Sequence, residues 1–194
     1  WTSAVSLVDG GFYLPVYMEL GRKYPELLRF DAKGKFIEQI RITAKNKMIQ
    51  PSVVPINSTK AWAFFRNTAK LGQSRDLYAS VSNNGGVTWS SPHKTNLTNP
   101  DSSLVATNLG GGNMLMVYNQ DDRSKLKLAI SNDGLTWHPI YMLENQVGKE
   151  FSYPAIQVNG NKIDIMYTDD RKSIKHVRFN REWLNGVINH AFND

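Results

Sequence analysis

The most informative segment of this chain is Ser82-Asn83-Asn84-Gly85-Gly86-Val87-Thr88-Trp89. The residues before it, from Tyr78 to Val81, favour a β-strand. Asn83 to Gly86 supplies residues that tolerate a positive φ, as a tight turn requires. Thr88 and Trp89 then restart a strand, and the indole ring is large enough to fold over the base of the turn. The segment therefore predicts a β-hairpin closed by an aromatic side chain.

A second copy of this segment reads Ser131-Asn132-Asp133-Gly134-Leu135-Thr136-Trp137. Both copies resemble the Asp box, Ser-x-Asp-x-Gly-x-Thr-Trp, of the sialidase-type β-propellers. The first copy has Asn84 where the family usually has Asp, and the second is one residue shorter in the turn. In the family resembled, the Asp box lies on the outer hairpin of a blade, so the resemblance implies a propeller and says nothing about catalysis.

The repeat of apolar strand, turn and apolar strand is the second indication of a propeller. Val54, Val105 and Ile156 occupy equivalent places, at a spacing of about 50 residues, the length of a four-stranded blade. Each repeat continues into a third strand, within Leu27–Phe30, Leu77–Val81, Leu126–Ile130 and Ser173–Phe179. The repeats divide a single domain, 1–194, into blades at roughly 1–47, 48–100, 101–148 and 149–194.

Most of the chain alternates with period two or forms short apolar runs between Gly, Asn, Asp and Pro, which predicts an all-β fold. One exception follows Asn180, where a capping Asn and Glu182 in the first turn predict a short terminal helix. The sialidase propellers resembled have six blades, and about four are visible here. We therefore expect a C-terminal fragment of a longer protein, with the missing blades supplied by upstream chain or by another subunit, because an unclosed propeller exposes a strand edge at each end.

Composition excludes several classes of function. The chain has 194 residues, of which 41% are hydrophobic, enough for a globular core. No apolar run is long enough to span a bilayer, and no signal peptide begins the sequence. Trp1 is not an initiator, which suggests a mature or trimmed product. Cysteine is absent, which excludes disulfides, thiolate catalysis and cysteine-metal sites.

The net charge of +6 is compatible with two kinds of partner. The Lys and Arg residues are scattered and form no dense run or recognised motif, so we predict no nucleic-acid partner. Attraction to anionic glycans or cell surfaces fits the same charge. The four histidines lack metal-ligand spacing, and we predict no metal site and no cofactor.

The resemblance to sialidases becomes residue-specific downstream of Met48. Gln50, in Gln50-Pro51, stands where those enzymes carry Glu, and Arg66 matches their second arginine. Arg123, after Asn119-Gln120-Asp121-Asp122, matches their third arginine. Tyr153, in Tyr153-Pro154-Ala155-Ile156, falls at the place of the nucleophilic tyrosine.

Two further residues are candidates for substrate contact because they lie at similar strand ends. They are Glu19 and Arg171, the latter in the Tyr167 to Arg171 signature of the predicted neuraminidase-like branch of the family. Each candidate also has a structural interpretation. Arg66, Arg123 and Arg171 could cover apolar surface or form ion pairs, Tyr153 could pack between blades, and Glu19 could belong to a solvated rim.

The chemistry of an acidic sugar explains why the family uses such residues. Guanidinium groups bind a carboxylate bidentately, which an ammonium group cannot do. The same carboxylate repels an Asp or Glu nucleophile, so the family uses a neutral tyrosine activated by a neighbouring carboxylate. Gln50 can orient the phenol but cannot take its proton, and Glu19 is a possible replacement carboxylate. The resemblance also implies a first arginine and an aspartic general acid upstream of Trp1.

Two classes of function follow from these residues. The first is a sialidase-like glycoside hydrolase that releases a terminal acidic sugar from glycans, in a secreted or periplasmic location if the family resemblance holds. The second is a glycan-binding or scaffolding propeller that has lost the chemistry, which Gln50 favours. A propeller enzyme acting on another acidic sugar is a variant of the first, because one fold hosts many reactions.

Overall fold

A computed structural model describes residues 4–6, 9–44, 47–69 and 75–193 of the chain. In these residues the strands form four antiparallel sheets, and the strands of each sheet follow one another in chain order. In the second, third and fourth sheets, the first strand in chain order packs against the preceding sheet. We call the first strand of each sheet its inner strand. This arrangement is that of four consecutive propeller blades, and it confirms the predicted all-β propeller.

Each of the first three blades has four strands. Blade 1 contains β1 (Val5–Ser6), β2 (Phe12–Met18), β3 (Tyr24–Phe30) and β4 (Phe36–Arg41). Blade 2 contains β5 (Met48–Pro55), β6 (Ala61–Asn67), β7 (Asp76–Ser82) and β8 (His93–Thr98). Blade 3 contains β9 (Val105–Gly110), β10 (Asn113–Asn119), β11 (Lys125–Ser131) and β12 (His138–Asn145).

Blade 4 has three strands and a helix. Its strands are β13 (Phe151–Asn159), β14 (Lys162–Asp169) and β15 (Ser173–Asn180), and the helix α1 is Arg181–Asn193. Asn180 caps the helix as predicted, because its Oδ1 accepts a hydrogen bond of 2.8 Å from the amide of Trp183. With 13 residues, the helix is longer than the predicted short terminal helix. Leu184 is buried against blades 3 and 4. This packing stabilises the helix even though it contains weak helix formers such as Gly186.

The second strands of blades 2 and 3 carry continuous apolar runs because both of their faces are buried. In β6, Phe64 packs towards blade 3, whereas Ala63 and Phe65 pack towards blade 1. In β10, Met116 faces blade 2 and Val117 faces blade 4. The period of two in a strand thus divides the core into three clusters, each between two neighbouring blades.

The two Asp-box segments form the predicted turns, between β7 and β8 and between β11 and β12. The prediction that Thr88 and Trp89 restart a strand is wrong, because β8 begins at His93. Oδ1 of Asn84 accepts hydrogen bonds from Ser82 Oγ at 3.0 Å and from the Thr88 amide at 2.9 Å. In the second copy Oδ1 of Asp133 accepts from the Thr136 amide at 2.7 Å. The amide oxygen of Asn84 therefore performs the same structural task as the usual carboxylate.

A glycine in each Asp box marks the place where the preceding blade makes contact. A Cβ on Gly86 would lie 2.9 Å from the ring of Tyr13, and a Cβ on Gly134 would lie 2.4 Å from the indole of Trp62. The hydroxyl of Tyr13 also donates to the carbonyl of Gly85. In each box, the glycine thus lies directly against an aromatic side chain of the previous blade.

The four inner strands line a common cleft of about 390 Å³, with Val5 of β1, Val53 of β5, Val105 of β9 and Ile156 of β13 among its walls. This cleft marks the axis around which the described blades are arranged. In the part of the chain that the structure describes, no helix has the length and apolarity needed to cross a bilayer.

Candidate functional site

In each of blades 2, 3 and 4, a residue within or just before the inner strand has a left-handed backbone conformation. Gln50 has φ 50°, Asp101 has φ 57° and Tyr153 has φ 53°. Such a conformation costs a non-glycine residue about 1–3 kcal/mol and persists only where its surroundings impose it. Gln50 and Tyr153 each stand before a proline inside a break of strand register, where a missing amide proton is tolerated. A left-handed residue therefore recurs in blades 2, 3 and 4 at intervals of about 51 residues, and in blades 2 and 4 it is followed by a proline.

Arg66, at the end of β6, links the three left-handed residues. Its Nε donates to Oδ1 of Asp101 at 2.8 Å, and its Nη1 donates to Oε1 of Gln50 at 3.3 Å. The side chain is only 13% exposed. Burial by itself lowers the pKa of this guanidinium, but Asp101 and the phenol of Tyr153 outweigh that effect and raise the pKa. Arg66 is therefore a fixed positive charge in contact with groups from three blades.

Arg123 lies in the turn between β10 and β11 and binds two different partners. Its Nη1 donates to Oε1 of Glu150 at 2.7 Å, and its Nη2 donates to the backbone carbonyl of Asp101 at 2.7 Å. Asp101 consequently contacts both arginines, Arg66 through its side chain and Arg123 through its backbone.

Glu150 is the second carboxylate of the cluster, directly before β13. Besides Arg123, it accepts hydrogen bonds from Nε and Nη2 of Arg171 at 3.1 and 2.8 Å, and from Ser152 Oγ at 3.0 Å. Burial by itself raises the pKa of Glu150, but the hydrogen bonds from Arg171, Arg123 and Ser152 outweigh it and lower the pKa. Glu150 is thus held as an anion between two guanidinium groups.

The phenol of Tyr153 lies at the open side of this cluster, and the residue is 38% exposed. Its proximity contributes to the raised pKa of Arg66 and, after the larger effect of Glu150, to that of Arg171. Because Tyr153 is partly exposed and close to two guanidinium groups, it can meet a ligand that enters from solvent.

Gln50 makes a second contact on its other side, because its Nε2 donates to the hydroxyl of Tyr17 at 3.3 Å. Its amide oxygen faces Arg66 and its amide nitrogen faces Tyr17. Neither atom can accept a proton from a phenol, since a neutral amide is not a base at ordinary pH.

The structure brings together five of the six residues that the sequence singled out, namely Gln50, Arg66, Arg123, Tyr153 and Arg171. Glu19 lies in the turn after β2, 3.8 Å from Lys23, and no contact within the described ranges joins it to the other five. The carboxylates that contact the arginines are Asp101 and Glu150, and sequence reasoning missed both. A signal existed for Asp101, which is one repeat length from both Gln50 and Tyr153.

The electrostatic balance of the cluster is slightly positive. Three guanidinium groups, those of Arg66, Arg123 and Arg171, face the two carboxylates of Asp101 and Glu150. One positive charge is left in surplus, which suits a ligand with a single negative charge. Among the described residues, no group of three His, Asp or Glu side chains is placed to hold a metal ion.

Solved structures with this arrangement of blades include sialidases and other glycosidases. The K499G mutant of the NanB sialidase from Streptococcus pneumoniae has 14% identity and a TM-score of 0.71, covering 92% of this chain and 30% of the enzyme. The Trypanosoma rangeli sialidase in complex with sialic acid has 16% identity and a TM-score of 0.66, covering 94% and 32%. GH43B of the Bacteroides ovatus xyloglucan PUL has 12% identity and a TM-score of 0.63, covering 91% and 38%.

The chain spans about a third of the length of these proteins. At such low identity the similarity establishes the propeller fold. A comparison with curated protein sequences finds no match. The sequence profile of the BNR repeat-like domain, in contrast, matches residues 2–165. With its Asp boxes, its four blades and this match over most of its length, the chain belongs to the BNR repeat-like domain family.

Proposed function

We propose that the protein containing this chain is a sialidase-type glycoside hydrolase that acts on a terminal acidic sugar of a glycan. The observation that supports this most is the contact of Arg66 with Gln50, Asp101 and Tyr153. Together with Arg123 and Arg171 these residues form one solvent-accessible cluster with a surplus positive charge.

In this proposal Arg66 and Arg123 hold the carboxylate of the sugar. Guanidinium groups suit this task because their parallel N–H bonds match the two oxygens of a carboxylate. Both side chains are largely buried and fixed by internal hydrogen bonds, so little conformational entropy is lost when a ligand binds. Arg171, which is 73% exposed, would contact the ligand from the rim.

Tyr153 is the proposed nucleophile. Its oxygen would form a bond to the anomeric carbon while the bond from that carbon to the departing glycan oxygen breaks, and that oxygen would leave with a proton from the general acid expected upstream. Water would then cleave the bond between the tyrosine and the sugar and release the free sugar. A neutral phenol avoids the repulsion that an Asp or Glu nucleophile would meet from the sugar carboxylate. The phenol proton must leave during this step, and because Gln50 cannot accept it, a water molecule from the solvent would take it.

Gln50 favours a second candidate, a propeller that binds acidic glycans without hydrolysing them. The arginine cluster alone is sufficient for binding, whereas turnover also requires a proton acceptor for Tyr153. The two candidates therefore differ in chemistry and share the ligand.

The test is to incubate the protein containing this chain with a fluorogenic sialoside and with uronic-acid glycosides. Hydrolysis of an acidic glycoside that Tyr153→Phe abolishes would support the first candidate. Gln50→Glu should then raise kcat by about a hundredfold, the lower range of general-base catalysis. Tyr141→Phe, a change on the outer strand β12 where Tyr141 packs against Trp183, should leave the rate unchanged.

Two outcomes would speak against hydrolysis by Tyr153. Turnover that survives Tyr153→Phe would exclude it as the nucleophile. Binding of acidic sugars without turnover, in both the natural protein and the Gln50→Glu variant, would favour the glycan-binding candidate.

A further inference from the structure

Asp101 is the residue of the cluster that touches both Arg66 and Arg123, whose side chains are partly buried. Its carboxylate accepts from Nε of Arg66 at 2.8 Å, and its backbone carbonyl accepts from Nη2 of Arg123 at 2.7 Å. These two arginines come from different blades, Arg66 at the end of β6 and Arg123 in the turn between β10 and β11. Asp101 lies in the segment that joins those blades, ahead of β9.

The left-handed backbone of Asp101 is compatible with this double contact. With φ at 57°, the residue leaves the extended path of the chain, and its side chain and carbonyl reach different guanidinium groups. Asp and Asn adopt this region far more readily than other residues with a Cβ.

The backbone around Asp101 is fixed by a buried side chain. Asn99 is fully buried, and its Oδ1 accepts from the amides of Asn67 and Ser102 at 3.2 and 3.1 Å. Its Nδ2 donates to the carbonyl of Ser102 at 2.8 Å. The segment is therefore held on both sides of Asp101, which makes the position of its carboxylate and carbonyl reproducible.

We propose that Asp101 is the positioning residue of the ligand site, which sets the relative orientation of Arg66 and Arg123 so that both can bind one carboxylate. This inference rests on the proposed function, because it assigns the two arginines a shared acidic ligand. Asp101 acts through the arginines, and its contribution to affinity is the order that it imposes on them.

Three substitutions separate the parts of this role. Asp101→Asn keeps an acceptor oxygen for Arg66 and tolerates the left-handed backbone, but removes the charge. Asp101→Gly keeps the backbone and removes the acceptor. Asp101→Ala removes the acceptor and disfavours the backbone as well.

The affinity for N-acetylneuraminic acid, measured by calorimetry on the protein containing this chain, should decrease from Asp101→Asn to Asp101→Gly to Asp101→Ala. Asp101→Asn should bind at least as well as the natural protein, because the contact survives and a competing negative charge is gone. Asp101→Gly should bind about tenfold more weakly, as expected for the loss of a hydrogen bond to a charged group. Asp101→Ala should bind more weakly still, and melting temperatures measured in parallel control for loss of folded protein.

A second measurement is independent of any ligand. The Nε–H of Arg66, observed by NMR in arginine-labelled protein, should exchange slowly with water in the natural protein and in Asp101→Asn, and rapidly in Asp101→Gly. Unchanged exchange in Asp101→Gly would overturn the proposal, as would equal affinities of the Gly and Asn variants. If the natural protein fails to bind acidic sugars, the proposed function fails, and the exchange experiment still decides whether Asp101 orders Arg66.

Discussion

At the scale of single residues, the candidate site depends on backbone conformations that few side chains adopt. Gln50, Asp101 and Tyr153 all have positive φ, and all three contact or neighbour Arg66. Strain of this kind is typical of sites where side-chain direction matters more than local stability. For Gln50 and Asp101, hydrogen bonds to Arg66 supply part of the compensation.

Glu150 makes the free energy of unfolding depend on pH. Arg171 and Arg123 lower its pKa below the ordinary value of 4.5 in the folded protein. A carboxyl with a lowered folded pKa stabilises the fold fully above its unfolded pKa, and this contribution is lost as the pH falls through the folded value. We expect Glu150→Gln to reduce the unfolding free energy at pH 7 and to reduce it less at pH 3.

Urea denaturation of both proteins between pH 3 and pH 7 measures this difference. Glu19→Gln is the matched control, because Glu19 is 54% exposed and 3.8 Å from Lys23, so its removal should change stability little at either pH. A loss from Glu150→Gln that stays constant across the range would contradict the assignment of Glu150 as an anion held by two arginines.

At the scale of elements, the contacts between an Asp box and the preceding blade hold neighbouring sheets in register. Gly134 is the most constrained example, with φ 79° and the indole of Trp62 directly against it. Trp62 itself belongs to the core cluster between blades 2 and 3. A side chain at this glycine would push the two blades apart.

We expect Gly134→Ala to destabilise the protein by about 2–4 kcal/mol, combining overpacking with left-handed strain. Gly160→Ala is the matched control, because φ there is 57° and nothing lies within 4 Å of the added Cβ. The control should lose only about 1 kcal/mol, the strain alone. Equal losses in the two variants, measured by urea denaturation, would show that contact with Trp62 is unimportant.

How much of this structure is predictable from sequence depends on how local the determining interactions are. The Asp-box hairpins and the Asn180 cap are made by residues two to four positions apart, and the sequence predicts them correctly. The resemblance to the sialidase segments extends this reach, since it pointed to Arg66, Arg123 and Tyr153. Asp101 and Glu150 were not predicted because their roles come from contacts with arginines 35 and 27 residues away in the sequence. Asp101 also has a positive φ, which is not predictable from the sequence because the residue is not a glycine.

At the scale of the whole molecule, the arrangement of the blades brings residues from three sequence repeats together in one cluster. Gln50, Asp101 and Tyr153, about one repeat apart, carry an amide, a carboxylate and a phenol on a left-handed backbone. The fold therefore permits changes of chemistry at one position without changes in the blade, which is how one propeller scaffold accommodates different activities. The net charge of +6 adds a favourable field for an anionic glycan.

The central claim is that Arg66 makes this cluster a binding site for the carboxylate of a sugar. The most direct measurement is calorimetric binding of N-acetylneuraminic acid and of its uncharged methyl ester to the natural protein and to Arg66→Lys. The acid should bind, and the ester should bind at least tenfold more weakly. Arg66→Lys should lose about tenfold in affinity for the acid, because an ammonium group cannot pair bidentately with a carboxylate. Equal binding of acid and ester, or an affinity for the acid that Arg66→Lys leaves unchanged, would contradict the claim.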